Sequence, residues 1–440
     1  MSPSKRPISE VDVEEQDVTA RATKRRVNEV GNVVSTATTK VETHDLKYPP
    51  TSGTVKPVAI QYPSRLLSFS YDPNRTLLFD DSAMKYFVNP PANADLRYGY
   101  SRWVKRPEEK GRIDGLLRAV AKYAESLDSS TDQPTAQGVV AEGKVSAQWL
   151  RQIKCVSWRG VMTKILTAPY ETRDGWELNV MHINDTLYLE EHLSDKRLAE
   201  KEDMTPHHRQ QSYYGYSFES FCTSSHPRKP ETLPGHPPGW SGDVNTNVQW
   251  CSVVKTKLAS HRLLIGGEVD CVKAKQDTAS ARNYTPEDYV ELKTSMSIRG
   301  PHDEVKFEQK LLKFYFQSFL LGVPEIIVGF RTPQGRVVTT QAFKTKELPR
   351  LVRGKPHAWD PHICMQWGDT FLNFLQERVP NRRKGETPQV WRAKFTPGEG
   401  VKMTQLDTAG RDEVKAGEDR VGFLPRWYFE SLTSPEKEDE

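Results

Sequence analysis

Two charged triplets sit inside strand-like stretches with apolar flanks, and they limit the chain's possible folds more than any other feature. Glu268-Val269-Asp270 lies within residues 262–274, and Glu291-Leu292-Lys293 lies within residues 289–295. Both segments read as β-strands. On a strand, residues i and i+2 project from one face, so Glu268 is expected to point with Asp270, and Glu291 with Lys293. Ile265, Val269, Val290 and Leu292 around them are apolar, which places the opposite face in a core. Burying such charges at strand centres is costly unless they meet partners or a metal. Three converging carboxylates form a hard oxygen set suited to Mg²⁺ or Mn²⁺. A neighbouring lysine can orient the attacking water and neutralise charge on a transferring phosphate. The alternative is a pair of cross-strand salt bridges on a solvated sheet face, which the apolar flanks disfavour.

The surrounding pattern extends this reading. After the two strands, residues 304–321 predict a helix, 325–331 a third strand and 337–343 a fourth, which is an α/β arrangement with a partly parallel sheet. Ile113, Leu116, Leu117, Val120, Ala124 and Leu127 recur at helical spacing over 112–127. Residues 176–183 and 185–190 suggest a hairpin around Asn184-Asp185. Residues 361–379 read as another helix, with late strands at 389–395 and 401–406. Residues 128–143 look like a flexible insertion, and the Pro/Gly-rich 226–247 like an irregular loop. His207-His208 reads as a loop pair without a third metal ligand.

Composition narrows the class without naming a chemistry. The chain has 440 residues, 36% of them hydrophobic, enough for a sizeable core. No run of about 18 apolar residues occurs, so no membrane span or membrane partner is expected. The five cysteines form no CxxC pair and read as reduced thiols. A net charge of +4 does not by itself imply nucleic acid. Residues 1–55 contain a single aromatic, Tyr48, and are expected to be a disordered tail. Lys5-Arg6 and Lys24-Arg25-Arg26 within it read either as a bipartite nuclear import signal or as solvated charge. Residues 56–433 would form one catalytic domain, and 434–440 an acidic disordered end.

The ExD–ExK pairing is the signature logic of the (D/E)xK nucleases, and further motifs sharpen it. Ser157-Trp158-Arg159-Gly160, Gly215-Tyr216-Ser217-Phe218-Glu219, Gly267-Glu268-Val269-Asp270-Cys271, Val290-Glu291-Leu292-Lys293-Thr294, Gln317-Ser318-Phe319-Leu320 and Gly329-Phe330-Arg331 follow one another in that order. In this the chain resembles the family of the decapping exoribonuclease DXO and its fungal nuclear relative, over residues 64–433. The resemblance implies an α/β (α+β) fold: a nuclease-like mixed sheet, a second antiparallel sheet beside it and outer helices, with the active site between the sheets. It implies that Glu219, Asp270 and Glu291 bind a divalent metal, two ions per site, with the Leu292 carbonyl nearby and Glu268 holding metal-bound water. Lys293 and Gln317 would contact the scissile phosphate and the 5′ nucleotide, and Trp158, Arg159 and Gly160 would line the pocket. Arg159 would pair phosphate oxygens, as Arg75 would in a looser correspondence. Gly111 stands where relatives often have an acidic residue.

The implied reaction is water attack at RNA 5′ ends: pyrophosphate removal from 5′-triphosphate RNA, decapping of incompletely capped RNA, and removal of an NAD cap. The implied setting is nuclear RNA quality control beside a 5′–3′ exoribonuclease. Two other readings are a non-catalytic stabilising partner of that exoribonuclease and a solitary cytoplasmic decapping exoribonuclease. A DNA nuclease would share the carboxylates but not the remaining motifs.

Overall fold

The computed structural model describes residues 42–48, 55–128, 147–227, 233–275, 284–382, 386 and 388–433. The insertion expected at 128–143 lies almost wholly outside them, as do the two basic clusters and the acidic end.

Two sheets carry the fold. The larger has ten strands, ordered Thr43–Lys47, Gly400–Gln405, Trp391–Thr396, Trp176–Ile183, Thr186–Glu191, Cys155–Trp158, His261–Glu268, Gln249–Leu258, Ser64–Tyr71 and Leu77–Leu78. It is antiparallel except where Cys155–Trp158 runs parallel to both its neighbours. The smaller has six strands, ordered Val337–Lys344, Glu325–Arg331, Tyr289–Met296, Cys271–Val272, Tyr86–Phe87 and Thr223–Ser224. It is the more evenly mixed of the two. Tyr289–Met296 and Glu325–Arg331 are parallel, joined by the crossover helix Pro301–Phe319.

Helices cover both sheets because their apolar stripes need partners. Ile113, Leu116, Leu117, Val120 and Ala124 are fully buried beside helix Asp114–Asp128, whose stripe packs with Val156 and Leu264 of the larger sheet. Leu127 is only partly buried. Helices Arg159–Thr167, Pro301–Phe319 and Pro361–Arg378 share a second core. Helix Pro206–Cys222 lays Phe218 and Phe221 among Val290, Leu292 and Ile327 of the smaller sheet. Tyr315 and Phe316 are core residues. All five cysteines are buried free thiols. Among the described residues no helix is long and apolar enough to cross a membrane.

The hairpin turn falls where it was expected, with Asn184 (φ 48°) and Asp185 (φ 66°) both left-handed between strands Trp176–Ile183 and Thr186–Glu191. Such a turn suits Asn and Asp because their short side chains tolerate that geometry.

Three expectations need correction. Thr43–Lys47, assigned to the disordered tail, forms an edge strand paired with Gly400–Gln405. His44 stacks on Trp391 there, and the Tyr48 hydroxyl donates to the Ala168 carbonyl at 3.0 Å. His207 and His208 lie in the first turn of helix Pro206–Cys222, where Thr205 caps the end by accepting from the His208 amide and Pro206 opens it. Residues 262–274 are not one strand. His261–Glu268 ends in the larger sheet, Val269 and Asp270 cross over, and Cys271–Val272 starts in the smaller one.

Candidate active site

The crossing at Val269–Asp270 brings the two sheets together at the charged residues. A cleft of about 450 Å³ opens there, and Glu219, Glu268 and Asp270 all line it. Although Glu268 and Asp270 do not share a strand, they face one cleft because the crossing is so short. Glu219 arrives from the last turn of helix Pro206–Cys222, held over the smaller sheet by the buried Phe218 beside it.

Three of the four carboxylates have partners, each a different one. Asp270 Oδ2 accepts from the Leu292 amide at 2.6 Å. Glu268 accepts from the Gln249 side chain at 2.8 Å. Glu291 has a fully buried side chain, and a cation meets each of its oxygens: Arg159 Nη1 at 3.0 Å and Lys293 Nζ at 2.6 Å. Glu291 and Lys293 therefore point together, as their spacing required.

Electrostatics separates the group into two halves. Burial would raise the Glu291 carboxyl, but Arg159 and Lys293 outweigh it and hold the acid below its ordinary range. In return Glu291, then Asp270, keep the buried Lys293 ammonium above its usual range. On the cleft side, burial and the neighbouring Asp270 and Glu268 push Glu219 well up. Burial and Glu291 push Asp270 up to about 7. Burial raises Glu268 too, with Arg159 opposing. Uncompensated negative charge thus collects at Glu219, Glu268 and Asp270, where a hard divalent cation would relieve it. Among the described residues no three His, Cys, Asp or Glu side chains stand close enough together to hold a metal ion as they are placed. The donor set fits a divalent ion all the same: oxygen ligands from two sheets and a helix, in a cleft open to water.

Arg159 opens helix Arg159–Thr167 directly after strand Cys155–Trp158, so the turn into the helix aims its side chain at Glu291. Its Nη1 also reaches the Gln317 carbonyl at 3.5 Å. Gly160 is exposed in the first helical turn. Trp158 donates its indole N–H to the Arg112 carbonyl at 2.8 Å. Glycines at 266 and 267 make room for this pair. A Cβ at Gly266 would lie 2.8 Å from the Trp158 ring, and one at Gly267 would lie 2.9 Å from both Arg159 Cβ and Leu321 Cδ1. Gly267→Ala should therefore displace the Arg159 stem and cost about 1–3 kcal/mol of stability. Urea unfolding with parallel rate measurements checks this, and a wild-type unfolding midpoint would mean that the neighbours simply give way.

Arg75 stands one residue behind the cleft. Its guanidinium donates to the Asn247 carbonyl at 3.0 Å and to Gln249 Oε1 at 2.6 Å, and lies over the Tyr71 ring. It holds Gln249, which in turn holds Glu268. Gln317 brings its carbonyl to Arg159, and Leu292 its amide to Asp270. Gly111 is in the cleft wall, where a Cβ would meet nothing within 4 Å.

Sequence reasoning missed Lys85, Gln249 and the aromatic pair Trp103–Tyr216, all in the cleft wall. Tyr216 had a signal, since it sits one helical turn before Glu219. Burial, with Glu219 and Glu268 nearby, pushes its phenol up to about 12, so it remains a proton-bearing donor.

Comparison with known proteins now bears on the same residues. The family model described as "RAI1 like PD-(D/E)XK nuclease" matches residues 61–429. The chain belongs to that family. The RAI1-like family relatives include the decapping nuclease RAI1 of Mycosarcoma maydis, 35% identical over 461 residues and covering 84% of this chain and 87% of that protein. The decapping and exoribonuclease protein of Mus musculus is 36% identical over 379 residues, covering 84% and 85%. The crystal structure of Candida albicans Rai1 in complex with pU5-Mn²⁺ superposes with a TM-score of 0.72 at 25% identity, covering 89% of this chain and 99% of that one. RAI1-like membership makes the chain a nuclease-class hydrolase dependent on divalent metal, and the mixed α/β architecture is the family's.

Proposed function

We propose that this protein hydrolyses phosphate linkages at RNA 5′ ends, releasing pyrophosphate from 5′-triphosphate RNA and cap-derived products from incompletely capped or NAD-capped RNA. The observation that carries this is the convergence of Glu219, Glu268 and Asp270 on one cleft, with the Glu291–Lys293 pair on the strand that holds Asp270 through the Leu292 amide. Relatives of the same family are named decapping nucleases, and the Candida relative was crystallised with pU5 and Mn²⁺.

A divalent ion bound by Glu219, Asp270 and Glu291 would polarise the phosphate and activate water. This chain's own groups do the rest. Gln249 fixes the Glu268 carboxylate, leaving its other oxygen to accept a proton from water. Arg159 and Lys293, already turned toward Glu291, offer donors to the non-bridging phosphate oxygens. The Leu292 amide stops Asp270 from rotating away. Tyr216 stays protonated and can donate to substrate.

Product analysis with purified protein and Mg²⁺ or Mn²⁺ on RNAs differing only at the 5′ end tests this reading. Release of pyrophosphate or a cap dinucleotide supports it, and intact 5′ ends in every case overturn it. Lys293→Ala should lower turnover more than it weakens RNA affinity, because its charge meets charge that develops in the transition state. Unchanged turnover with weaker RNA affinity would make Lys293 a ground-state clamp instead.

The setting we propose is the nucleus, in complex with a 5′–3′ exoribonuclease that consumes the 5′-monophosphate end exposed by this reaction. The basic clusters at Lys5-Arg6 and Lys24-Arg25-Arg26 support nuclear import. Strand Thr43–Lys47 sets how much can be removed to test it. Deleting residues 1–40 should abolish nuclear accumulation and leave catalysis intact, and a truncated protein that remains nuclear overturns the import reading. Affinity purification from nuclear extract tests the partner.

A further inference from the structure

Around the acidic cleft most cations are already committed. Arg159 and Lys293 hold Glu291, Arg75 holds Gln249, Arg106 pairs with Glu109, and Lys105 pairs with Glu108 and Glu202. Lys85 is different. It lines the cleft with Glu219, Glu268 and Asp270, yet among the described residues its ammonium has no ion pair or hydrogen bond. Burial raises the Glu219 and Glu268 carboxyls, and the charge of Lys85 partly opposes that rise.

Sheet order fixes where Lys85 stands. Its carbonyl accepts from the Val272 amide at 2.9 Å, and it opens strand Tyr86–Phe87, which runs parallel to Cys271–Val272. Cys271–Val272 is paired on its other side with Tyr289–Met296, the strand of Lys293. Tyr86 and Tyr289 are both level with Val272, so Lys85 stands one residue before that level and Lys293 four residues beyond it, and the two lysines reach the carboxylates from different strands and different heights. Lys293 is occupied by Glu291, whereas Lys85 is open to the cleft. A substrate whose scissile phosphate lies beside Asp270 and Lys293 would bring its next phosphate toward the cleft side, where a lysine point charge suits a non-bridging oxygen.

We propose that Lys85 is a second phosphate clamp, binding a non-bridging oxygen of the substrate phosphate adjacent to the scissile one. This rests on the function proposed above. The phosphate has two possible sources: the 5′-polyphosphate, or the following nucleotide of the RNA body.

The test compares wild type, Lys85→Met and Lys85→Arg with Mn²⁺, on one RNA bearing a 5′ triphosphate as substrate and the same RNA bearing a 5′ monophosphate as competing product. KM and kcat are measured on the triphosphate RNA, the inhibition constant on the monophosphate RNA, and Mn²⁺ affinity by calorimetry without RNA. Lys85→Met should raise KM about tenfold or more, the scale of one charge-assisted contact. Lys85→Arg should restore most of it, and Mn²⁺ affinity should hold or tighten once a neighbouring cation is gone. A defect on triphosphate RNA alone assigns Lys85 to the 5′-polyphosphate, and a defect on both RNAs assigns it to the RNA body. Unchanged KM and inhibition constant, or a KM defect that disappears at saturating Mn²⁺ together with weakened Mn²⁺ binding, overturns the proposal. An active wild type beside an indifferent variant removes this inference alone. A wild type inactive on every RNA removes the proposed function and this inference with it.

Discussion

Asp270→Asn should reduce hydrolysis of RNA 5′ ends by about a thousandfold, the scale on which enzymes lose rate when a group stabilising transition-state charge is removed. The expectation is specific because asparagine retains an oxygen to accept the Leu292 amide, so the local backbone is preserved. Only charge is lost. In metal-free protein that loss should not destabilise. The folded-state carboxyl is raised to about 7 by burial and by Glu291, so the folded protein binds this proton more tightly than the unfolded chain. Such a group contributes stability below its unfolded pKa of about 4, and that contribution is lost as pH rises through 7. The melting temperature of wild type without metal should accordingly fall between about pH 4 and pH 7, and fall less in Asp270→Asn. Mn²⁺ should raise the wild-type melting temperature and leave the variant's almost unchanged. Near-wild-type turnover at limiting metal would remove Asp270 from the metal site.

Arg159→Met should carry the largest stability cost of any single change at the site, about 3–5 kcal/mol, together with loss of activity. Glu291 is fully buried and is held ionised by two cations. Removing one leaves a charge in the interior with half its compensation. Adding Glu291→Gln to Arg159→Met removes the orphaned charge and should recover much of the stability while activity stays absent. Urea unfolding of the two single variants and the double variant measures this coupling directly. Additive losses, with no recovery in the double variant, would mean that Arg159 stabilises by packing and not by charge.

The parts of this molecule that were legible in sequence are those governed by local periodicity or by one side chain's preference. The stripe from Ile113 to Ala124 has one face to bury, and it buries it. Asn184-Asp185 tolerates left-handed geometry and makes the turn. Glu291 and Lys293 share a face because the strand beneath them is regular. The illegible parts depend on partners remote in sequence. The run over 262–274 has strand-forming apolar residues on both sides of Val269, and no residue there announces that the chain leaves one sheet for the other. Thr43–Lys47 has no apolar alternation, and it is a strand because Gly400–Gln405 offers an open edge and Trp391 a ring for His44. Lys85 and Gln249 belong to the cleft only once the sheets are assembled. His207-His208 was a different kind of miss, since Thr205-Pro206 before it is a recognisable helix start.

The passage at Val269–Asp270 means that Glu268 ends one sheet and Asp270 stands just before the strand that enters the other, with one residue between them. An ion bound by Asp270, with its water held by Glu268, would work as a rivet through two plates, and the distance between the two carboxylates is a gauge of the angle at which the plates meet. Ion binding should therefore slow amide exchange in both sheets together, not only near the cleft. Substitutions at the far edge of either sheet that change this angle would detune metal affinity without touching a ligand.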